Sequence, residues 1–96
     1  MKFEWNEEKR KSNLIKHGLD FKDAEFVFEG LTFTLEDNRF IYGEQRFITI
    51  GMLKSIVVVI AHTEKNDMIR VISMRKASKN EEKIYYRGFS DRLESH

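Results

Sequence analysis

Arg70 and Arg75 stand in the stretch Arg70-Val-Ile-Ser-Met-Arg75-Lys76-Ala77, just downstream of the apolar run Ile56-Val-Val-Val-Ile-Ala-His62. An arginine held on a strand presents a rigid planar fork to phosphate oxygens, and a nearby imidazole moves a proton near neutral pH. That combination suits metal-free RNA cleavage, in which a 2′-hydroxyl attacks its own neighbouring phosphate. The reaction asks for a proton acceptor, a cation for the developing negative charge and a group that splays the strand. Histidine, arginine and a tyrosine such as Tyr85 are residues of those three types.

Each of these residues also has a plainer reading. His62 ends a strand with Val58 and Ile60 on its face, where a hydrogen-bonded structural histidine is commoner than a general base. On a regular strand Arg70 and Arg75 project to opposite faces, and a twist or bulge is required to bring both to one cleft. Arg75, beside the mouth of the last helix, is the better placed, although a surface ion pair accounts for it equally well, and for Arg70 an ion pair with a carboxylate is the commoner reading. Lys9, Asn13 and Lys16 share one face of a helix and read as solvated, with Leu14 offset toward the core. His17 beside Gly18 stabilises a helix C-terminus whatever else it does. Tyr85 and Tyr86 point about 100° apart, so one belongs to the core and the other reaches a cleft. Glu44 and Arg46 read as a salt-bridging rim.

The elements that must position these groups follow from caps and periodicity. Asn6 caps a helix with Glu7 and Glu8 in its first turn, and the helix runs to His17, where Gly18 stops it. A second helix starts at Asp20, whose carboxylate is placed to cap the Asp23 amide, and carries Phe21, Ala24, Val27 and Phe28 until Gly30. Beyond Gly30 the period becomes two, with Leu31, Phe33 and Leu35 on one side. Arg46 to Leu53 and Ser55 to His62 form a hairpin about Lys54, and Lys65-Asn66-Asp67 turns the chain into Met68 to Lys76. Ser78-Lys-Asn-Glu81 is a capping box that opens a helix ending near Gly88. The expectation is an α+β fold: two N-terminal helices, a four-stranded antiparallel sheet and a C-terminal helix. Residues 89–96 either fray or dock.

Composition narrows the function classes. The chain has 96 residues, enough for a single domain over 1–96 with one core. Its net charge is only +1, so long-range steering toward nucleic acid is weak. From Ala61 on there are eight Lys/Arg against six Asp/Glu, an excess that suits a few phosphates in a local groove. The longest apolar run, Ile56 to Ala61, is far short of the roughly 20 residues of a membrane-spanning helix. The N-terminus lacks a signal-peptide pattern and there is no cysteine, so the expected setting is the cytoplasm, without membrane. No glycine-rich phosphate loop, Gly-x-Ser-x-Gly elbow or pair of ligand-spaced histidines occurs, so the expected chemistry uses neither metal nor cofactor.

In order and spacing the chain resembles the BrnT family of bacterial type II toxins, small ribonucleases distantly similar to the RelE toxins. The resemblance rests on Phe3-Glu-Trp5, Lys9, Asn13, Lys16-His17-Gly18, Phe21, Ala24 and Val27-Phe28, then Glu44, Arg46-Phe47 and Ile50-Gly51. It continues through His62-Thr63-Glu64, Arg70-Val-Ile-Ser73-Met-Arg75-Lys76-Ala77, Glu81 and Tyr85. It implies a RelE-like α+β ribonuclease that arrests translation by cutting RNA, held in a hetero-oligomer by a BrnA-like DNA-binding antitoxin that represses the shared operon. By resemblance Arg75 is the transition-state phosphate clamp and Arg70 a second phosphate contact. His62 is then the acid or base, Tyr85 a stacking or relay group, and Lys9 and His17 are contacts to the RNA backbone. Two residues depart from the family pattern: Asn6 stands for the usual Asp, and Met74 for a small residue between Ser73 and Arg75. A catalytically silent corepressor that only binds its antitoxin, or an RNA-binding module, is the alternative.

Overall fold

The computed structural model describes residues 1–39 and 41–94. Strand β1 (Lys2–Trp5) precedes helix α1 (Glu7–His17), a 3-10 turn (Phe21–Asp23) and helix α2 (Ala24–Glu29). Strands β2 (Thr32–Glu36), β3 (Phe47–Leu53), β4 (Ile56–Lys65) and β5 (Met68–Lys76) follow, and helix α3 (Lys79–Glu94) closes the chain. No helix among the described residues is long and apolar enough to cross a membrane.

The class is α+β, but the sheet is five-stranded and mixed, in the order β1-β5-β4-β3-β2, rather than four-stranded and antiparallel. The unanticipated strand is β1, which pairs parallel to β5 from Lys2 opposite Met68 to Trp5 opposite Val71. Its alternation lasts four residues and its partner lies far away in sequence, so no local pattern announces it. The second helix is also shorter than expected. Asp20 caps Lys22 N–H at 3.0 Å rather than Asp23, producing a 3-10 turn before α2 begins at Ala24. At the other end α3 continues through Gly88 to Glu94. Gly88 serves close packing, because a Cβ there would lie 2.6 Å from Phe33 Cζ.

Each face of the sheet has its own apolar cluster. On the α2 face, Phe21, Ala24 and Val27 pack on Val58, Ile60, Ile69, Val71 and Met74. On the α3 face, Tyr85 packs on Ile50, Val57 and Val59, with Phe33 alongside. The sidedness changes once along β5. Ala61 stands opposite Ser73 while His62 stands opposite Val71, so Ile72 is an extra residue, a β-bulge.

Candidate functional site

The bulge decides where the arginines point. Ile69 and Val71 are buried on the α2 face, and so is Met74, three positions on instead of the two or four of a regular strand. Arg70 and Arg75 therefore project from the same face of the sheet, the α3 face, instead of the opposite faces of a regular strand. At about 3.3 Å per residue their Cα atoms are roughly 16 Å apart, which suits two phosphates of one strand better than a single shared one. The bulky Met74 is fully buried on the opposite face and does not crowd the arginines.

The two arginines are held differently. Arg75 Nη1 and Nη2 donate to Glu81 Oε1 and Oε2 at 2.7 and 2.8 Å, a bidentate pair, and Nη1 also donates to Lys76 O at 3.3 Å. Glu81 is also the acceptor of the capping box: it takes the Ser78 N–H at 2.7 Å while Ser78 Oγ takes the Glu81 N–H at 3.2 Å. The Arg75 hydrogen bonds hold the Glu81 carboxyl down at about 2. Glu81 in turn raises the Arg75 pKa, while the charge of Arg39 opposes this. Arg70 is much freer, with Nη1 3.8 Å from Glu4 Oε1 and both side chains about half exposed. It lines an open basin of about 670 Å³ with Glu4, Glu44, Gln45, Thr63 and Glu64. Glu44 thus sits on the rim of Arg70's basin, whereas Arg46 lies over the Tyr42 ring at 4.1 Å, a cation–π contact.

Helix α1 brings the remaining basic residues. Asn6 Oδ1 accepts the Lys9 N–H at 3.1 Å, and Gly18, at φ 70°, returns its N–H to Leu14 O at 2.8 Å. Lys9, Lys16 and His17 then line a depression of about 210 Å³ together with Ser12, Ile72 and Ser73. The bulge therefore borders both groups, the arginines on the sheet face and the α1 cations at its edge.

His62 and Tyr85 are not brought to that surface. His62 projects to the α2 face with no exposed surface, edge-on to Phe28 at 5.2 Å and stacked with Phe47 at 5.9 Å. Its Nε2 shares a 2.7 Å hydrogen bond with Thr49 Oγ1, which in turn meets Thr34 Oγ1 at 2.7 Å. Nδ1 is 3.8 Å from Glu64 Oε1, too far for a hydrogen bond, and finds no side-chain partner among the described residues. Burial pushes the His62 pKa below its ordinary value, against the pull of the Glu64 charge. The expected acid or base is thus a core imidazole in this conformation. Tyr85 is buried under α3, donates to Leu31 O at 3.2 Å and packs T-shaped on Phe33. Burial raises its pKa. Tyr86, the neighbour that the helix turns outward, is the exposed one.

Two features escaped sequence reasoning. Asn13, expected on a solvated face, is 8% exposed, whereas Leu14, expected on the core side, is 39% exposed. The asparagine's hydrogen bonds to a strand distant in sequence explain the inversion, and the only local signal was a polar residue between Lys9 and Lys16. Asp37, just after β2, is likewise tied down more firmly than a loop pattern suggests. Asp37, almost fully buried, accepts from Arg39 Nε at 2.8 Å and from Tyr42 Oη at 2.9 Å, so its carboxyl is held well below the usual range.

A family model for the ribonuclease toxin, BrnT, of type II toxin–antitoxin systems matches residues 5–81. A search of curated proteins gave no match. The match covers most of the chain, and the protein belongs to the BrnT family. As a member of a type II toxin–antitoxin family it has an antitoxin as partner class. Lys9, His17, His62, Arg70 and Arg75 lie within the matched segment, and Tyr85 lies beyond it.

Proposed function

We propose that the protein is a metal-independent endoribonuclease that arrests translation in the cytoplasm, with single-stranded RNA crossing β5 at its bulge. The observation that carries this reading is the extra residue Ile72, which turns Arg70 and Arg75 to one face and lies beside Lys9, Lys16 and His17. Arg75 clamps the reacting phosphate, Arg70 grips a second one, and Lys9 with Lys16 holds the backbone. The 2′-oxygen forms a bond to phosphorus while the bond to the 5′-oxygen breaks; the departing 5′-oxygen takes a proton from water, the proton lifted from the 2′-hydroxyl passes from the base to solvent, and a 2′,3′-cyclic phosphate and a 5′-hydroxyl result. His17 has access to solvent that His62 lacks, so we assign to His17 the proton taken from the 2′-hydroxyl. His62 and Tyr85 support the two faces of the sheet from within. A BrnA-like DNA-binding antitoxin covers the α1 cations and the arginine face in a hetero-oligomer, excluding RNA by occupying the same residues.

One observation favours a second reading, a catalytically silent corepressor: both amino groups of Arg75 are already engaged by Glu81. The test is cleavage of a defined RNA in EDTA with analysis of the product ends. Discrete cuts with 2′,3′-cyclic ends support the ribonuclease. No products at any enzyme concentration, with tight antitoxin binding retained, support the corepressor. A Glu81→Gln variant that gains RNA affinity would place Glu81 as a competitor for the phosphate.

A further inference from the structure

β1 ends at Trp5, opposite Val71, so among the described residues no strand lies along the outer rail of β5 from Ile72 onward. Two backbone groups on that rail are nevertheless satisfied by one side chain. Asn13 Nδ2 donates to Met74 O at 2.9 Å and the Met74 N–H donates to Asn13 Oδ1 at 3.2 Å, the two-point pairing that a neighbouring strand would have made. The second Nδ2 proton goes to Leu19 O at 3.1 Å, just past the end of α1, so both amide protons are committed.

What this junction joins is informative. Lys9, Lys16 and His17 are at i−4, i+3 and i+4 from Asn13, the positions that share its helix face. Met74 lies between Ser73, which borders the α1 depression, and Arg75 on the sheet face. Polar α1, with Leu14 and Ile15 exposed, has little apolar surface with which to fix its own register against the sheet. We propose that Asn13 is a positioning residue of the RNA-binding surface: its pairing with the Met74 backbone holds the α1 cations in register with Arg75. The proposal rests on the reading that this surface binds RNA.

The experiment is a double-mutant cycle of Asn13→Ser and Lys16→Ala, read as affinity for a 2′-O-methyl RNA oligonucleotide, which binds but has no 2′-hydroxyl to attack with. Cleavage of the matching unmodified RNA is measured in parallel. Asn13→Ser is expected to weaken binding about tenfold and to lower kcat as well as raise KM, because His17 shifts with the same helix face, while Lys16→Ala costs about threefold in the wild-type background and almost nothing in Asn13→Ser. Faster exchange of the Met74 amide should accompany the loss. Additive effects of the two substitutions, or an Asn13→Ser protein that melts earlier but binds RNA as wild type does, would overturn the positioning role alone. A wild type that binds but does not cut removes the ribonuclease reading and leaves the cycle informative, whereas a wild type that binds no RNA ends both. Should Asn13→Ser fail to fold, Asn13→Gln retains the carboxamide on a longer arm and serves in the same cycle with the same two criteria.

Discussion

The two faces of the sheet contain residues that the sequence offered for the same chemistry, yet they hold them in opposite ways. On the α2 face His62 lies among Phe28, Phe47 and Thr49 with no surface left. On the α3 face the helix covers Ile50, Val57 and Val59 but leaves Arg70 about half exposed and Arg75 40% exposed. Residue type alone does not separate a group that builds the fold from one that meets a ligand. The cover over it does, and on this sheet the cover is set by which face a residue reaches and by the single bulge at Ile72.

The largest effect that sharpens this contrast is on the covered face. His62→Ala should cost about 3 kcal/mol, because it opens a cavity between two aromatic rings and leaves Thr49 Oγ1 without its partner. Denaturant unfolding measures the loss, and cleavage per folded molecule should survive. A His62→Ala protein that is as stable as wild type but inactive would reverse the assignment of the two faces.

On the open face Arg70→Ala should do the converse. Its 3.8 Å contact with Glu4 is solvent-exposed, so stability should change by less than about 0.5 kcal/mol. RNA affinity should fall about tenfold, with a shallower salt dependence. Titration with RNA at several salt concentrations checks both, and an unchanged slope would remove Arg70 from the phosphate contacts.

Stability against pH separates the faces once more. His62 has a folded-state pKa below its ordinary 6.5, so its stabilising contribution is present above about pH 6.5 and is lost as the pH falls toward the lowered value. Glu81, held at about 2 against an ordinary 4.5, contributes above pH 4.5 and loses that contribution as the pH falls from 4.5 to about 2. With Arg75 and Glu81 both partly exposed, screening limits the Glu81 contribution to about 1 kcal/mol. Melting temperature should therefore hold above pH 6.5 and decline in two stages below it, with the first stage absent in His62→Gln and the second reduced in Glu81→Gln. A first stage that persists in His62→Gln would place the titrating group elsewhere.

Local chemistry made much of this fold legible. Asn6, Gly18 and the Ser78–Glu81 box mark helix ends by hydrogen bonds that span a few residues, and all three act as those patterns imply. The hairpin about Lys54 and the turn at Asn66-Asp67 fall where the sequence puts them, with positive φ at all three residues. What escaped was non-local. β1 depends on a parallel partner beyond residue 67, and Asn13 is buried only because Met74 offers it a bare strand edge. The bulge that unites Arg70 and Arg75 arises from a register between β4 and β5 that no single strand encodes. The cations of the surface were recognisable from the sequence, then, while their common face and their separation from His62 required the pairing of strands.

The most direct measurement is cleavage of a defined RNA by wild type and by Arg75→Ala, in EDTA, with folding of both confirmed by thermal melting. The account predicts discrete cuts with 2′,3′-cyclic ends from wild type and a hundredfold to thousandfold loss, on the order of removing one transition-state charge contact, in a folded Arg75→Ala. Equal cleavage by the two proteins would contradict the claim that the open face beside the bulge carries the chemistry.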